Sequence, residues 1–184
     1  MLAPIDVTII RIVTDRLILR PWRESDISDL NEYAKVPGVG EMAGWNAHKS
    51  MEESKEILEL FIREKKTLAL ELKETGKVIG SLGLERCTSA VTLRFWKKGR
   101  EVGYAMSKDY WGRGLMPEAV KAVMEYCFRD LDYDYLTCGH FLHNAQSRRV
   151  IEKCGFRFVK EGHFDTRFGT REVTRYYVCY NPYK

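Results

Sequence analysis

Two short stretches carry residue types and spacings that could do chemistry: Gly112-Arg113-Gly114, and Asn144 followed three positions later by Ser147. Glycines ahead of a helix let main-chain N–H groups converge on one point. The helix dipole adds partial positive charge there, and Arg113 adds a full one. Pyrophosphate is the kind of ligand such a point attracts. The alternative is a plain strand-to-helix turn that binds nothing.

The flanking residues supply the elements this chemistry needs. Val102, Tyr104 and Met106 alternate with Glu101, Gly103 and Ala105, the period of a strand. Pro117 suits a helix's first turn. Ala119, Val120, Val123, Tyr126, Cys127 and Leu131 then recur at helical spacing, so a helix is expected from about Gly114 to Arg129. Two better-known phosphate motifs do not fit. There is no Gly-x-x-x-x-Gly-Lys-Ser/Thr, and Pro117 stands where a dinucleotide fingerprint would have its third glycine. Downstream, Asn144 is a good N-cap and Gly155 a good stop for a helix of about ten residues, with Val150, Ile151 and Cys154 as its buried stripe. Ser147 lies on its first turn, where it could face a ligand; plain capping is the alternative use of Asn144.

Taken together, Trp111-Gly112-Arg113-Gly114-Leu115-Met116 and Asn144 through Gly155-Phe156 resemble the GNAT superfamily of acetyl-CoA-dependent N-acetyltransferases. The opening Thr14-Asp15-Arg16-Leu17-Ile18-Leu19-Arg20-Pro21-Trp22, with Glu118-Ala119 behind the loop, is similar to the RimJ/RimL branch, which acetylates N-terminal amines of ribosomal proteins. The resemblance spans about Val13 to Tyr180. It implies that the loop from Trp111 to Met116, with Ser107, Asn144 and Ser147, binds the coenzyme A of acetyl-CoA. It implies that pantetheine lies along the strand of Met106, whose N–H would polarise the thioester carbonyl. Glu101 becomes the candidate base, directly or through a water, with a strand-end ion pair as its alternative. Trp45, Glu101 and Phe168 would face the acceptor amine, although loop aromatics also serve local packing.

Two departures matter. Trp111 replaces the Arg or Gln usual at the head of the loop, which removes one side-chain phosphate contact. Ile151 stands where many members carry a tyrosine that protonates the departing thiolate. Ser147 is the hydroxyl the RimL-like pattern would put in its place. A coenzyme A-binding module without turnover, and an acetyltransferase for aminoglycosides, polyamines or amino acids, remain alternatives.

The 184 residues, 45% of them hydrophobic, suit one globular domain over residues 1–184. A net charge of +4 without a concentrated basic run argues against nucleic acid. Lys97-Lys98-Gly99-Arg100 reads as a solvated turn. The five cysteines and four histidines show no metal-ligand spacing, so no metal is expected. No run reaches the roughly 18 apolar residues of a membrane span and no signal peptide is evident, which points to a cytoplasmic protein. A homodimer is possible through a sheet edge or the tyrosine-rich C-terminal strand.

The remaining pattern predicts strands at about Ile9–Arg20, Leu68–Leu72, Val78–Leu84, Tyr135–His140, Phe156–Phe164 and Arg171–Tyr180. Helices are expected from Ser25 or Asp26 to Lys35 and over about Met51–Lys66, with residues 36–49 irregular between them. That is an α+β pattern with a mixed, mostly antiparallel sheet. With the resemblance, it becomes a three-layer fold of about seven strands and about four helices.

Overall fold

The N-terminal alternation does not make one strand. In the computed structural model, which describes residues 2–87 and 97–184, it breaks into β1 (Ile12–Val13) and β2 (Leu17–Pro21), an antiparallel pair with Ile12 opposite Leu19. The turn between them is built by a hydroxyl. Leu17 N–H donates to Thr14 Oγ1 at 3.0 Å, and Thr14 N–H donates to the Leu17 carbonyl at 2.9 Å. A threonine can close a turn this way without glycine or proline, which is why the alternation gave no sign of it.

The remaining strands are β3 (Thr67–Leu72), β4 (Val78–Glu85), β5 (Gly99–Met106), β6 (Tyr135–Phe141), β7 (Arg157–Asp165) and β8 (Arg171–Tyr180). All eight form one sheet in the order β1-β2-β3-β4-β5-β6-β8-β7, one strand more than expected because of the N-terminal split. Every pairing is antiparallel except β5 with β6. Among the described residues the α-helices are α1 (Ile27–Ala34), α2 (Met51–Glu64), α3 (Leu115–Arg129) and α4 (Ala145–Lys153).

The helices cover both faces. Leu30, Tyr33 and Ala34 of α1 and Leu58 of α2 pack with Ala69, Val78 and Ala105 on one face. Ala119, Val120, Val123 and Cys127 of α3 and Ile151 of α4 pack with Leu19, Leu70, Leu82, Val102 and Met106 on the other. Each fully buried aliphatic side chain contributes about 1.5–3 kcal/mol relative to exposure. The sheet therefore needs both layers.

Parallel pairing of β5 with β6 runs from Gly99–Tyr135 to Val102–Cys138 and stops. Both strands continue, β5 to Met106 and β6 to Phe141, so a gap opens between them in mid-sheet. The start of this pair is tightly packed. A Cβ on Gly99 would lie 2.4 Å from the Tyr135 ring. Arg100, expected in a solvated turn, is buried and donates to the carbonyls of Ala3 (2.7 Å) and Leu84 (3.0 Å).

Candidate active site

The gap has backbone groups aimed into it. Ser107 N–H donates to the Ile79 carbonyl at 2.9 Å, and the β4–β5 register is unbroken from Gly80–Met106 to Glu85–Glu101. In an antiparallel ladder hydrogen-bonded pairs alternate, so Glu101, Gly103 and Ala105 serve β4. The backbone groups of Tyr104 and Met106 then face the side where β6 has turned away. The Met106 carbonyl accepts from the Trp111 indole N–H at 2.8 Å, and its N–H is directed into the gap. Trp111 thus closes one end of the gap rather than reaching a phosphate. With the Ser107 amide engaged on β4, its hydroxyl is what it can offer a ligand.

The glycine loop stands at this end. Gly112 and Gly114 have φ of 78° and 77°, the left-handed region that favours glycine. Gly114 is the N-cap of α3, whose first internal bond runs from Glu118 N–H to the Gly114 carbonyl. The amides of Leu115 and Met116 precede that bond and have no partner within the helix. Their side chains are buried in the core beneath. Arg113 lies over the Tyr110 ring, 5.2 Å from its centroid.

Asn144 caps α4 as its position predicts. Its Oδ1 accepts from Ser147 N–H at 3.0 Å, and its Nδ2 donates to the Met42 carbonyl at 3.1 Å. The cap therefore ties α4 to the irregular segment 36–49. Ser147 is buried, and its Oγ lies 2.9 Å from the Tyr104 hydroxyl. Burial pushes the Tyr104 phenol well above its usual range, against the lowering effect of the Ser147 hydrogen bond. It stays protonated at neutral pH. Tyr104 stood in the sequence only as an apolar beat of β5. The signal that could have found it is that beat itself: even positions of β5 face α3 and α4, where Ser147 lies.

Odd positions face the other layer. Glu101 Oε2 accepts from the Thr137 hydroxyl at 3.4 Å, and the same hydroxyl lies 3.7 Å from Cys87 Sγ. A Cβ on Gly103, two residues along that face, would meet nothing within 4 Å. Carboxylate and hydroxyl pair thus stand on opposite faces of the sheet beside one opening.

The two loop segments expected to face an acceptor touch each other. Arg167 N–H donates to the Gly44 carbonyl at 2.9 Å, and Phe164 stacks near Phe141 with centroids 5.8 Å apart. Half-buried Trp45 packs against the α1–α2 core and lies 5.2 Å from the His48 ring. Phe168 is half-buried at the tip of the β7–β8 hairpin. His48 and His140 are buried and bonded, to Ser54 Oγ (2.8 Å) and Tyr177 Oη (3.1 Å) respectively, which makes them structural. Among the described residues no group of three or more His, Cys, Asp or Glu could hold a metal ion, and no helix is long and apolar enough to cross a membrane.

This sheet, split between two central strands with a glycine loop at the split, defines the acetyltransferases of the GNAT class. Residues 16–157 match the Acetyltransferase (GNAT) domain, and the chain belongs to that N-acetyltransferase family. It is similar to the uncharacterized N-acetyltransferase p20 of Bacillus licheniformis, 25% identical over 159 residues covering 81% of this chain and 82% of that one. A putative ribosomal-protein-serine acetyltransferase from Vibrio cholerae shares the fold with a TM-score of 0.77 at 17% identity, over 95% of this chain and 99% of that one. So does the microcin C7 self-immunity acetyltransferase MccE, solved in complex with acetyl-CoA and AMP: TM-score 0.70 at 15% identity, over 91% and 93%.

Proposed function

We propose that this protein transfers an acetyl group from acetyl-CoA to the α-amine of a peptide or protein N-terminus by direct attack on the thioester. The observation that carries the reading is the gap after Val102–Cys138, with the Met106 N–H aimed into it and the glycine loop at its end. The pyrophosphate would lie on the amides of Gly112 to Met116, and the pantetheine along β5. That the similarly folded MccE was solved with acetyl-CoA supports this donor.

The amine nitrogen attacks the carbonyl carbon, and the Met106 N–H binds the oxygen as it becomes negative. Glu101 takes the proton the amine releases, directly or through a water. The C–S bond then breaks, Ser147 protonates the sulfur and draws on Tyr104, and the pair recovers a proton from solvent as coenzyme A leaves, while Glu101 releases the one it took. This gives a hydroxyl source although Ile151 is fully buried in the α3–α4 core. A single carboxylate suits an α-amine, of which a useful part is already neutral near its pKa of about 8. A lysine, near 10.4, needs a stronger base. The fold shared with the Vibrio cholerae protein, named for ribosomal-protein serine, supports a protein N-terminus.

The test is thiol release from acetyl-CoA against peptides with free N-termini, free amino acids, polyamines and aminoglycosides. Release dependent on the peptides supports the reading. Release only with small amines moves the acceptor to that class. Tight acetyl-CoA binding with no release leaves a coenzyme A-binding module.

A further inference from the structure

The two sequence segments that mark the RimJ/RimL resemblance meet in space. Glu118, in the first turn of α3, receives three hydrogen bonds and one further ion-pair contact, the last from Arg16 Nη2, all from the β1–β2 turn. They come from the Thr14 hydroxyl (2.6 Å) and from the Arg16 main-chain N–H (2.9 Å), Nε (2.7 Å) and Nη2 (2.7 Å). The remaining arm of the guanidinium, Nη1, donates to the Arg113 carbonyl at 2.9 Å. Arg16 therefore holds the phosphate loop and the helix behind it at once.

That last bond has a geometric consequence. A peptide unit is planar and trans, so its C=O and N–H point opposite ways. With the Arg113 carbonyl fixed toward Arg16, the Gly114 N–H must point away from it, out of the loop. The unit is flanked on its C-terminal side by Gly114 at φ of 77°, where rotation of a peptide meets less steric resistance than beside a residue with a side chain. As a stability device the pair is poorly placed, since the Arg16 side chain is 47% exposed and exposed ion pairs contribute little. A bare carboxylate in the first turn of α3 would also repel an incoming phosphate, and Arg16 neutralises it.

We infer that Arg16, braced by Glu118 and Thr14, is a positioning residue for the donor: it locks the Arg113–Gly114 peptide so that the Gly114 N–H faces the pyrophosphate. The inference rests on the donor assignment above. Glu118 keeps the brace charged down to acid pH. Burial raises its carboxyl, but the Thr14 and Arg16 bonds outweigh that and hold it below its usual value.

The experiment is acetyl-CoA binding by calorimetry, with donor and acceptor KM, on the wild-type chain and Arg16→Ala, Arg16→Lys and Glu118→Gln. Glu71→Gln serves as control. It weakens a different ion pair on the same end of the sheet, Arg20–Glu71 at 2.5 Å, away from the loop. Losing one charge-assisted hydrogen bond predicts about a tenfold rise in donor Kd and KM for Arg16→Ala. Acceptor KM and kcat at saturating donor should stay within about twofold of wild type. Arg16→Lys should not restore affinity, because an ammonium lacks the fork that reaches both Glu118 and Arg113. Glu118→Gln should also weaken binding. If it tightens binding, Glu118 acts only through its charge and the lock is wrong. Wild-type donor affinity in Arg16→Ala, or an equal loss in Glu71→Gln at similar Tm, reduces the cluster to a structural role. Absence of acetyl-CoA binding by the wild-type chain would instead overturn the donor assignment itself, and the lock with it.

Discussion

The two sides of the gap are built from different materials. On the side proposed for the donor, recognition would be assembled from main chain: the Met106 N–H, the left-handed glycines and the first amides of α3, each fixed by a helix or strand. On the side proposed for the acceptor, it would be assembled from side chains on segments 36–49 and 165–170, which hold one another through the Arg167–Gly44 bond. Main-chain recognition fixes one shape of ligand and leaves little to vary. Side chains on loops can be exchanged without disturbing the sheet. On that reading the donor site admits one ligand shape, and the acceptor site can change its ligand by exchanging loop side chains.

The sharpest way to break that contrast is Glu101→Gln. If Glu101 is the base, kcat/KM should fall about 10²-fold or more, and the acid limb of its pH profile should vanish. Steady-state kinetics from pH 5 to 9 would show this, and an unchanged profile would leave the acceptor face without a base. Next in size is Gly114→Val. A β-branched residue at φ of 77° costs at least about 1–2 kcal/mol of strain in the loop. Donor KM should rise about tenfold or more, with acceptor KM untouched. Tyr104→Phe should lower kcat several-fold while lowering Tm only modestly, since the ring stays and only the hydroxyl's bonds, the one to Ser147 among them, are lost. A loss confined to KM would remove Tyr104 from the proton path.

The remaining effects test architecture. Asn144→Ala should cost about 1 kcal/mol of stability through the α4 cap. Because Nδ2 also holds the Met42 carbonyl, acceptor KM should shift with it, which thermal unfolding and kinetics together would check. Smallest is the pH term. Burial lowers the pKa of both His48 and His140 from 6.5 in the folded chain. The unfolded chain then binds more protons below that value, so this contribution is intact above pH 6.5 and is lost as pH falls toward the folded pKa values. Tm measured at pH 7 and pH 5 should fall. It should fall less in His48→Gln, provided that variant folds.

The donor side was also the legible side. Gly114 before a helical period, and Asn144 and Gly155 around another, are local signals written within a few residues. The structure places α3 and α4 where those signals put them. What escaped is non-local. Tyr104 and Ser147 are 43 positions apart and meet only because one face of β5 turns toward α4. Arg16 and Glu118, 102 positions apart, had each been read as a mark of resemblance with no contact between them. The β1–β2 turn escaped for a different reason: a threonine hydroxyl did the work for which glycine or proline is the usual sign. Trp45 and Phe168 could be placed on loops, but whether a loop aromatic packs inward or outward depends on neighbours that no spacing encodes.

The opening between β5 and β6 gives this sheet four edges instead of two. The outer pair, β1 and β7, borders the molecule, as edges normally do. The inner pair faces itself across the gap, carrying amides that lie at the centre of the fold yet lack ladder partners. Hydrogen exchange should reveal them as an anomaly: the Tyr104 and Met106 amides should exchange far faster than those of Gly103 and Ala105 beside them. A linear ligand with its own amide groups can pair with such an edge as a strand would. In the proposed function the opening is thus a β-augmentation site turned inward, filled by the pantetheine of the donor.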